Sequence, residues 1–351
     1  MRRFARRRRS IDAEAGCQPA YPGSLRGMPE TLDEQLTKHL TDAHSIEEQA
    51  LLQMKVAPRL AGDAQLAEAF REHLIETQDH ERRVRDRLEA RGAAPSRTKD
   101  LVAQAGAVGM VLFARSQPDT PGKLTSHAYS YEHLELAAYE LLALVADRAG
   151  DSETASVARS IREQESAMAR RLEQSFDRAV DASLRDVGPD DLDEQLNKYL
   201  ADAHAIEAQA IQLLQLGPKI AGESGLARVL SVHLEVSRAQ QEAVRDRLRA
   251  RGGRPSRFKD FALRGGGVNI GGFFGAQPDT PAKLAGFAFA FEHLEIAAYE
   301  QLRRVAESAG DTETAAVAER TVREERATAE SLREQFEPAV DASLREQELS
   351  A

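Results

Sequence analysis

The amino-acid sequence predicts an all-α protein made of two tandem four-helix bundles, and three observations support this class. The first is an internal repeat: residues 42–44, Asp-Ala-His, return as residues 202–204, and the offset of 160 holds up to residues 181–185 and 341–345. A repeat of this length is a whole domain rather than a solenoid unit. The second is the composition, with 42% hydrophobic and 30% charged residues, which is typical of soluble helical proteins. The third is the spacing of apolar residues at intervals of three and four, the period of an amphipathic helix.

The repeat divides the chain into a leading segment and two domains. Residues 1–28 contain a basic run, Arg2–Arg9, which is followed by polar and Gly/Pro-containing sequence rather than by an apolar signal region. We expect a disordered tail here; a tail that docks on an acidic surface is the functional alternative, and Met28 is an alternative start of translation. The two repeats then occupy residues 29–188 and 189–351.

Composition excludes several classes of protein. A net charge of −10 argues against a general nucleic-acid binder. The single cysteine, Cys17, excludes an intrachain disulfide framework and a cysteine-based zinc site. No apolar run reaches the roughly 18 to 20 residues that a membrane span needs. We therefore expect a cytoplasmic protein with no membrane partner.

The first two helices of each repeat are predicted from apolar stripes with clear ends. In the first repeat, the stripe of helix one consists of Leu36, Leu40, Ala43, Glu47, Ala50 and Met54. Pro58 and Gly62 are expected to end this helix. The second helix is predicted over about residues 63–91, where Gly92 and Pro95 stop it.

The last two helices follow a long connection, about residues 93–123, which contains a Gln-Pro-Asp-Thr-Pro turn. The third helix is predicted over about residues 124–149. Asp151 or Ser152 caps the fourth, whose stripe extends to Phe176. Two helices, a long crossover and two more helices is the connectivity of ferritin-like bundles. The predicted class is thus two tandem ferritin-like four-helix bundles forming a fused pseudo-dimer.

All four helices of the first repeat place a carboxylate at or near a position where an apolar residue belongs. Burying several unpaired carboxylates costs many kcal/mol, and like charges would force some to protonate. A pair of divalent cations removes this cost, because carboxylates and imidazoles are their ligands. The candidate metal ligands of the first repeat are Glu47, Glu76, His80, Glu132, Glu135 and Glu165.

The second repeat offers a poorer set of ligands. Its candidates are Glu207, Glu292, Glu295 and Glu325. Val236 stands at the position of Glu76, and Gln240 stands at the position of His80. Neither repeat has the Glu-x-x-His pairs of di-iron bundles. The residues at the positions of the missing partners are Met168 and Thr328 on helix four, and Thr77 and Ser237 on helix two.

The sequence also allows interpretations of these glutamates and histidines that involve no metal. The glutamates are solvated if the stripes are rotated by one position, or they form a buried polar network. His44, His73 and His133 are by default hydrogen-bonded core or interface residues, and in the alternative they bind a metal or orient a ligand. Tyr139, one turn after Glu135, packs in the core or hydrogen-bonds to a ligand. Spacing alone does not choose among iron, manganese and zinc.

Two segments carry a family resemblance. Residues 42–49, Asp-Ala-His-Ser-Ile-Glu-Glu-Gln, and residues 132–139, Glu-His-Leu-Glu-Leu-Ala-Ala-Tyr, have copies in the second repeat. With residues 73–77, they resemble the YciE/YciF-type ferritin-like stress proteins. The resemblance covers both repeats and implies a four-helix domain, usually paired as a homodimer, with a link to stress responses and ferroxidase-like di-iron chemistry. Members normally carry one domain, so this chain resembles a fused dimer.

Two functions follow as hypotheses. The first is a di-metal carboxylate protein that binds iron, with manganese or zinc as alternatives, and reacts with oxygen or peroxide in stress protection. The second is a non-enzymatic stress or interaction scaffold with degenerate metal sites. The missing histidines favour the second hypothesis, above all for the second repeat. The fused pair is an intramolecular pseudo-dimer, and further self-association is an open alternative.

Overall fold

A computed structural model describes residue 29 and residues 31–95, 120–222, 224–253 and 280–349. Within these ranges the chain forms ten α-helices and a short 3₁₀ helix at Pro189–Asp191, and it forms no strand. The all-α prediction is therefore confirmed. The basic segment of residues 1–28 and most of each long connection lie outside the described residues.

Among the described residues, each repeat contributes four long helices and one short one. The helices of repeat 1 are α1 (Leu32–Leu60), α2 (Ala64–Ala90), α3 (Thr120–Arg148), α4 (Ser152–Glu173) and α5 (Phe176–Leu184). The helices of repeat 2 are α6 (Leu192–Ala221), α7 (Gly225–Ala250), α8 (Thr280–Ser308), α9 (Thr312–Arg333) and α10 (Phe336–Glu346). The two tandem bundles thus follow the predicted order.

Side-chain caps set the beginnings of several helices, among them α2 and α4. Asp63 Oδ1 accepts hydrogen bonds from the backbone N–H groups of Gln65 and Leu66, both at 2.9 Å. Asp151 accepts from the Thr154 N–H at 2.9 Å, as the capping prediction requires. These carboxylates satisfy donors that have no partner within the helix itself.

Three helix boundaries differ from the sequence predictions. Helix α1 continues through Pro58 to Leu60, and α3 begins at Thr120 rather than near residue 124. The predicted fourth helix ends at Glu173, and Phe176 starts a separate helix, α5. Because Phe176 remains fully buried after the turn, the apolar periodicity alone does not reveal the break.

The two repeats pack against each other through α3 and α8. The Ser130 hydroxyl donates to the Ala290 carbonyl at 2.8 Å, and the Gln301 amide donates to the Gly122 carbonyl at 2.7 Å. Between them, the rings of His133 and His293 stack with centroids 3.5 Å apart and planes 13° apart. Gly122 lies near the start of α3, and its partner Gln301 lies in the last third of α8. The two helices therefore run antiparallel, as in a two-fold dimer.

The apolar core is shared between the repeats. One cluster joins Leu36 and Leu142 of repeat 1 to Leu230 and Phe336 of repeat 2. A second apolar cluster likewise contains residues of both repeats. Matching ion pairs also cross the interface, from Lys123 to Asp202 at 3.1 Å and from Lys283 to Asp42 at 2.6 Å. The predicted pseudo-dimer is confirmed. No helix in the described part of the chain is long and apolar enough to cross a membrane.

Candidate metal centres

Six ionisable side chains meet inside the bundle of repeat 1. Helix α1 supplies one glutamate, α2 two histidines, α3 two glutamates and α4 one glutamate, and each of these residues is at most 1% exposed. The six are Glu47, His73, His80, Glu132, Glu135 and Glu165. Five of them belong to the set predicted from the sequence; His73 is the addition.

The first group of candidate ligands centres on His73. Its Nε2 lies 3.2 Å from Glu132 Oε2 and 3.4 Å from Glu165 Oε2. Together with Glu135, these residues offer one imidazole nitrogen and three carboxylate oxygens that all lie within 4.8 Å of one another. Atoms this close can converge on one cation.

The second group shares a residue with the first. His80 Nδ1 lies 2.6 Å from Glu165 Oε1 and 3.9 Å from Glu47 Oε1. Glu165 therefore presents Oε2 to His73 and Oε1 to His80. A carboxylate that offers its two oxygens to two neighbouring ligand groups is placed to bridge two cations.

Outer residues hold these side chains in place. The Tyr139 hydroxyl donates a hydrogen bond to Glu47 Oε1. His73 Nδ1 contacts Glu76 Oε2 at 2.9 Å, and His80 Nε2 contacts the Gln164 amide oxygen at 3.1 Å. Such partners orient an imidazole so that its other nitrogen faces a metal.

Glu76 does not join either group. Its side chain is 46% exposed, and its carboxylate lies on the far side of His73, against Nδ1. The His73 contact lowers the pKa of Glu76. The sequence predicts Glu76 as a ligand. In the structure His73 lies in the group of candidate ligands instead, and Glu76 contacts His73 from outside that group.

The pKa values of three glutamates and of His73 are raised, so the metal-free centre retains protons that a bound cation would replace. Burial, with Glu165 nearby, raises the pKa of Glu47 to about 8, and burial raises the pKa of Glu165 to about 7. Burial and the neighbouring glutamates raise the pKa of Glu135 well above its usual range. Burial alone would lower the pKa of His73, but Glu132 raises it well above its usual range.

The buried oxygens provide a direct test of whether a metal fits. Both carboxylate oxygens of Glu135, together with Glu132 Oε1 and Glu47 Oε2, lack a hydrogen-bond partner among the described residues. Native proteins rarely leave so many buried polar atoms unsatisfied. Carboxylate and imidazole ligands suit divalent first-row metal ions, so the donor set fits such ions.

Repeat 2 keeps one of the two groups. His233 Nε2 lies 2.9 Å from Glu292 Oε2 and 3.1 Å from Glu325 Oε2, and Glu295 completes the set. Burial raises the pKa of Glu292 to about 8. Burial would lower the pKa of His233, but Glu292 raises it to about 11.

The remainder of the repeat 2 site departs from that of repeat 1. Glu207 still accepts a hydrogen bond from the Tyr299 hydroxyl, at 2.5 Å. Gln240 replaces His80, and its amide nitrogen donates to Glu324 Oε2 at 3.0 Å. Thr328 Oγ1 lies 3.1 Å from His233 Nδ1 and thus takes the place that Glu76 has in repeat 1.

A third group of candidate ligands lies between α1 and α2 in repeat 1. It consists of His44, Glu48 and Glu81, with His44 Nε2 3.0 Å from Glu81 Oε1. Neither Glu48 nor Glu81 is among the ligands predicted from the sequence. In repeat 2 these positions are Ala208 and Gln241, so the group belongs to the first repeat.

The remaining predicted histidine has a structural role. His133 Nδ1 donates to the Tyr129 carbonyl at 2.7 Å, and its ring stacks on His293 at the interface between repeats. Burial lowers the pKa of His133 to about 4, so this ring is neutral near pH 7. The default interpretation of an interface histidine therefore describes His133.

Paired helical bundles with buried histidine–glutamate clusters define a class of candidate metal-binding proteins. A family model described as "Domain of unknown function (DUF892)" matches the chain twice, at residues 31–185 and 191–345. The chain belongs to this family, which is the YciF-type family, and carries its domain in tandem. No solved structure matches the chain.

Proposed function

We propose that repeat 1 is a di-metal carboxylate centre that binds two ferrous ions and oxidises them with oxygen or peroxide. The proposal rests mainly on the position of Glu165. Its two carboxylate oxygens lie next to two different histidines, each of which belongs to a separate group of candidate ligands. The biological outcome that we propose is protection against stress in the cytoplasm, through removal of free ferrous iron and of peroxide.

Each residue of the centre has a role in this scheme. Glu132, Glu135 and His73 would hold one ion, and Glu47 and His80 would hold the other. Glu165 would join the two. Four glutamates and two neutral histidines balance the four positive charges of two divalent ions, so binding would offset both the burial and the repulsion that raise the carboxyl pKa values.

The proposed reaction transfers two electrons from two ferrous ions to the oxidant. With oxygen as the oxidant, two bound ferrous ions would give up two electrons, which with two protons from solvent reduce O₂ to H₂O₂. With peroxide as the oxidant, the same two electrons and two protons would reduce H₂O₂ to two molecules of water, and this second reaction removes peroxide. The protein residues bind and orient the ions, and the surrounding apolar core excludes bulk water. The Tyr139 hydroxyl holds Glu47 in position and contacts the buried site from α3.

An anaerobic ferrous titration tests the proposal. Metal-free protein is titrated with Fe²⁺, and oxygen consumption is then measured on adding air-saturated buffer. We expect iron-dependent oxygen uptake that Glu165→Ala abolishes and that Glu163→Ala, an exposed change on the same helix, leaves intact. Binding of no iron, or oxygen uptake that is independent of Glu165, would overturn the proposal.

A scaffold with degenerate metal sites is the second candidate function. Replacement of His80 by Gln240 in repeat 2 favours it, because one ligand group has been lost there. Contacts such as His80 Nδ1 to Glu165 at 2.6 Å also hold part of the centre together without metal. Under this alternative, the iron titration shows weak binding or none, and no iron-dependent oxygen uptake.

A further inference from the structure

We propose that the two repeats hold different numbers of metal ions: two in repeat 1 and a single divalent ion in repeat 2. The inference rests on the proposed metal-binding function and deepens it, because it assigns a nuclearity to each half of the chain. It follows from comparing corresponding atoms in the two bundles.

The first cation position is complete in both repeats. His233 and three glutamates reproduce the group formed by His73, and the nitrogen–oxygen distances of 2.9 and 3.1 Å are similar to those of repeat 1. Both oxygens of Glu295 and Oε1 of Glu325 lack hydrogen-bond partners among the residues described for repeat 2. One imidazole and three carboxylates suit a single divalent first-row ion.

The second cation position has lost its imidazole in repeat 2. Gln240 is buried like His80, but its amide nitrogen donates to Glu324 and cannot bind a cation. Its Oε1 is a neutral carbonyl oxygen, which suits Mg²⁺ or Ca²⁺ better than Fe²⁺ or Zn²⁺. Glu207 remains, bound to Tyr299, but without a nitrogen ligand beside it.

The replacement of His80 by Gln240 is accompanied by a second replacement on the fourth helix, where Glu324 stands at the position of Gln164. In repeat 1, His80 is paired with Gln164; in repeat 2, Gln240 is paired with Glu324 at the corresponding position. The hydrogen bond between the second and fourth helices is thus kept while the metal ligand is removed. Repeat 2 therefore has a hydrogen bond between Gln240 and Glu324 where repeat 1 has the imidazole of its second ligand group.

The difference has a chemical consequence. A single ferrous ion supplies one electron, whereas reduction of O₂ to H₂O₂ takes two. Repeat 2 therefore binds a metal ion without carrying out the paired oxidation, and its ion stabilises the shared fold.

Counting bound Zn²⁺ tests the inference without relying on activity. Metal-free full-length chain is saturated with Zn²⁺, freed of excess ion by gel filtration and analysed by mass spectrometry of the metal. We expect three zinc ions per chain, because Arg85 Nη1 already lies 3.3 Å from Glu81 Oε1 and supplies positive charge to the third group of candidate ligands. His80→Gln is expected to lower the count to two, and the double variant Gln240→His with Glu324→Gln is expected to raise it to four.

Mn²⁺ binding gives a second readout of nuclearity. In the wild-type chain, electron paramagnetic resonance should show a spin-coupled pair together with an isolated ion. The signal of the isolated ion should disappear in Glu295→Ala, and the coupled signal should remain. Circular dichroism checks that each variant is folded.

The possible failures can be told apart. Four zinc ions in the wild-type chain, or a double variant that stays at three, would overturn the unequal nuclearity while leaving the function of repeat 1 intact. Three zinc ions without iron-dependent oxygen uptake would overturn the proposed oxidation and leave the nuclearity standing. Loss of all zinc on mutating repeat 1 alone would overturn the repeat 2 site.

Discussion

At the scale of single residues, some side chains contact a candidate ligand without belonging to the ligand group. Their task is to orient that ligand, not to bind the metal. Glu76 contacts His73 Nδ1 in repeat 1, and Thr328 contacts His233 Nδ1 in repeat 2. Both hold an imidazole whose other nitrogen faces glutamates. Two different residue types, from different helices, thus have the same task.

Glu76→Gln distinguishes an orienting residue from a ligand. We expect the zinc count to stay unchanged and the affinity of repeat 1 to fall by about 10- to 100-fold, the usual effect of removing an outer partner. Thr328→Val is the matched change in repeat 2. Isothermal titration gives both quantities, and the loss of a whole ion on Glu76→Gln would show that Glu76 is a ligand.

Tyr139→Phe removes the donor to a buried carboxylate. We expect a loss of about 1 to 3 kcal/mol in the free energy of unfolding of metal-free protein, because Glu47 Oε1 is left without its hydrogen bond. Urea denaturation measures this change. Tyr299→Phe should cost a similar amount in repeat 2; a neutral effect of both changes would contradict the importance of these contacts.

The stability of metal-free protein should fall as the pH rises from about 5 to about 8. Glu47, Glu165 and Glu292 have pKa values of about 8, 7 and 8 in the folded chain, against a usual value of 4.5. A raised folded-state pKa stabilises the fold below the unfolded-state pKa, and this stability is lost as the pH passes through the folded-state pKa. The raised pKa of His233 acts in the same direction.

Thermal melts at a series of pH values, with and without Zn²⁺, measure this effect. Zinc should oppose the fall, because it binds the deprotonated ligands and its affinity rises with pH. A melting temperature of metal-free protein that rises steadily over this pH range would contradict the described burial of the carboxylates.

At the scale of helices and turns, the glycine between α1 and α2 shows how the bundle closes. Gly62 has φ +67°, and a Cβ built there would lie 2.7 Å from Pro121 Cγ. The turn therefore needs glycine both for its left-handed backbone and for its contact with the start of α3. Gly150, between α3 and α4, has φ +73° but no atom within 4 Å of such a Cβ.

Gly62→Ala and Gly150→Ala form a matched pair. Both introduce a side chain into the left-handed region, which costs about 1 to 3 kcal/mol. Only Gly62→Ala adds a steric clash, so we expect it to lower the free energy of unfolding by more than Gly150→Ala does. Chemical denaturation compares the two, and equal losses would show that the contact with Pro121 relaxes freely.

The sequence predicts the helices better than it predicts the orientation of individual side chains. Periodicity identifies four long helices per repeat, but it continues across the turn before Phe176 and so conceals α5. His73, Glu76 and His80 share one stripe of α2, and spacing does not determine which of them enters the centre. The pairing of His80 with Gln164 depends on two helices that are distant in the chain, so no local pattern reveals it.

At the scale of the whole molecule, the shared core predicts cooperative unfolding. Phe336 is 2% exposed and belongs to a cluster that includes residues of both repeats. Phe336→Ala should cost about 3 to 5 kcal/mol, the usual effect of removing a buried aromatic side chain. We expect calorimetry to show one transition, shifted to lower temperature as a whole. Two separate transitions would indicate that the repeats unfold independently.

The short connection between the repeats has a consequence for assembly. Helix α5 ends at Leu184 and α6 begins at Leu192, so only a few residues tether one bundle to the other. A short covalent tether corresponds to an effective local concentration on the order of mM. A dimer of separate chains dissociates on dilution, whereas this chain keeps its two bundles together even when few copies of it are present.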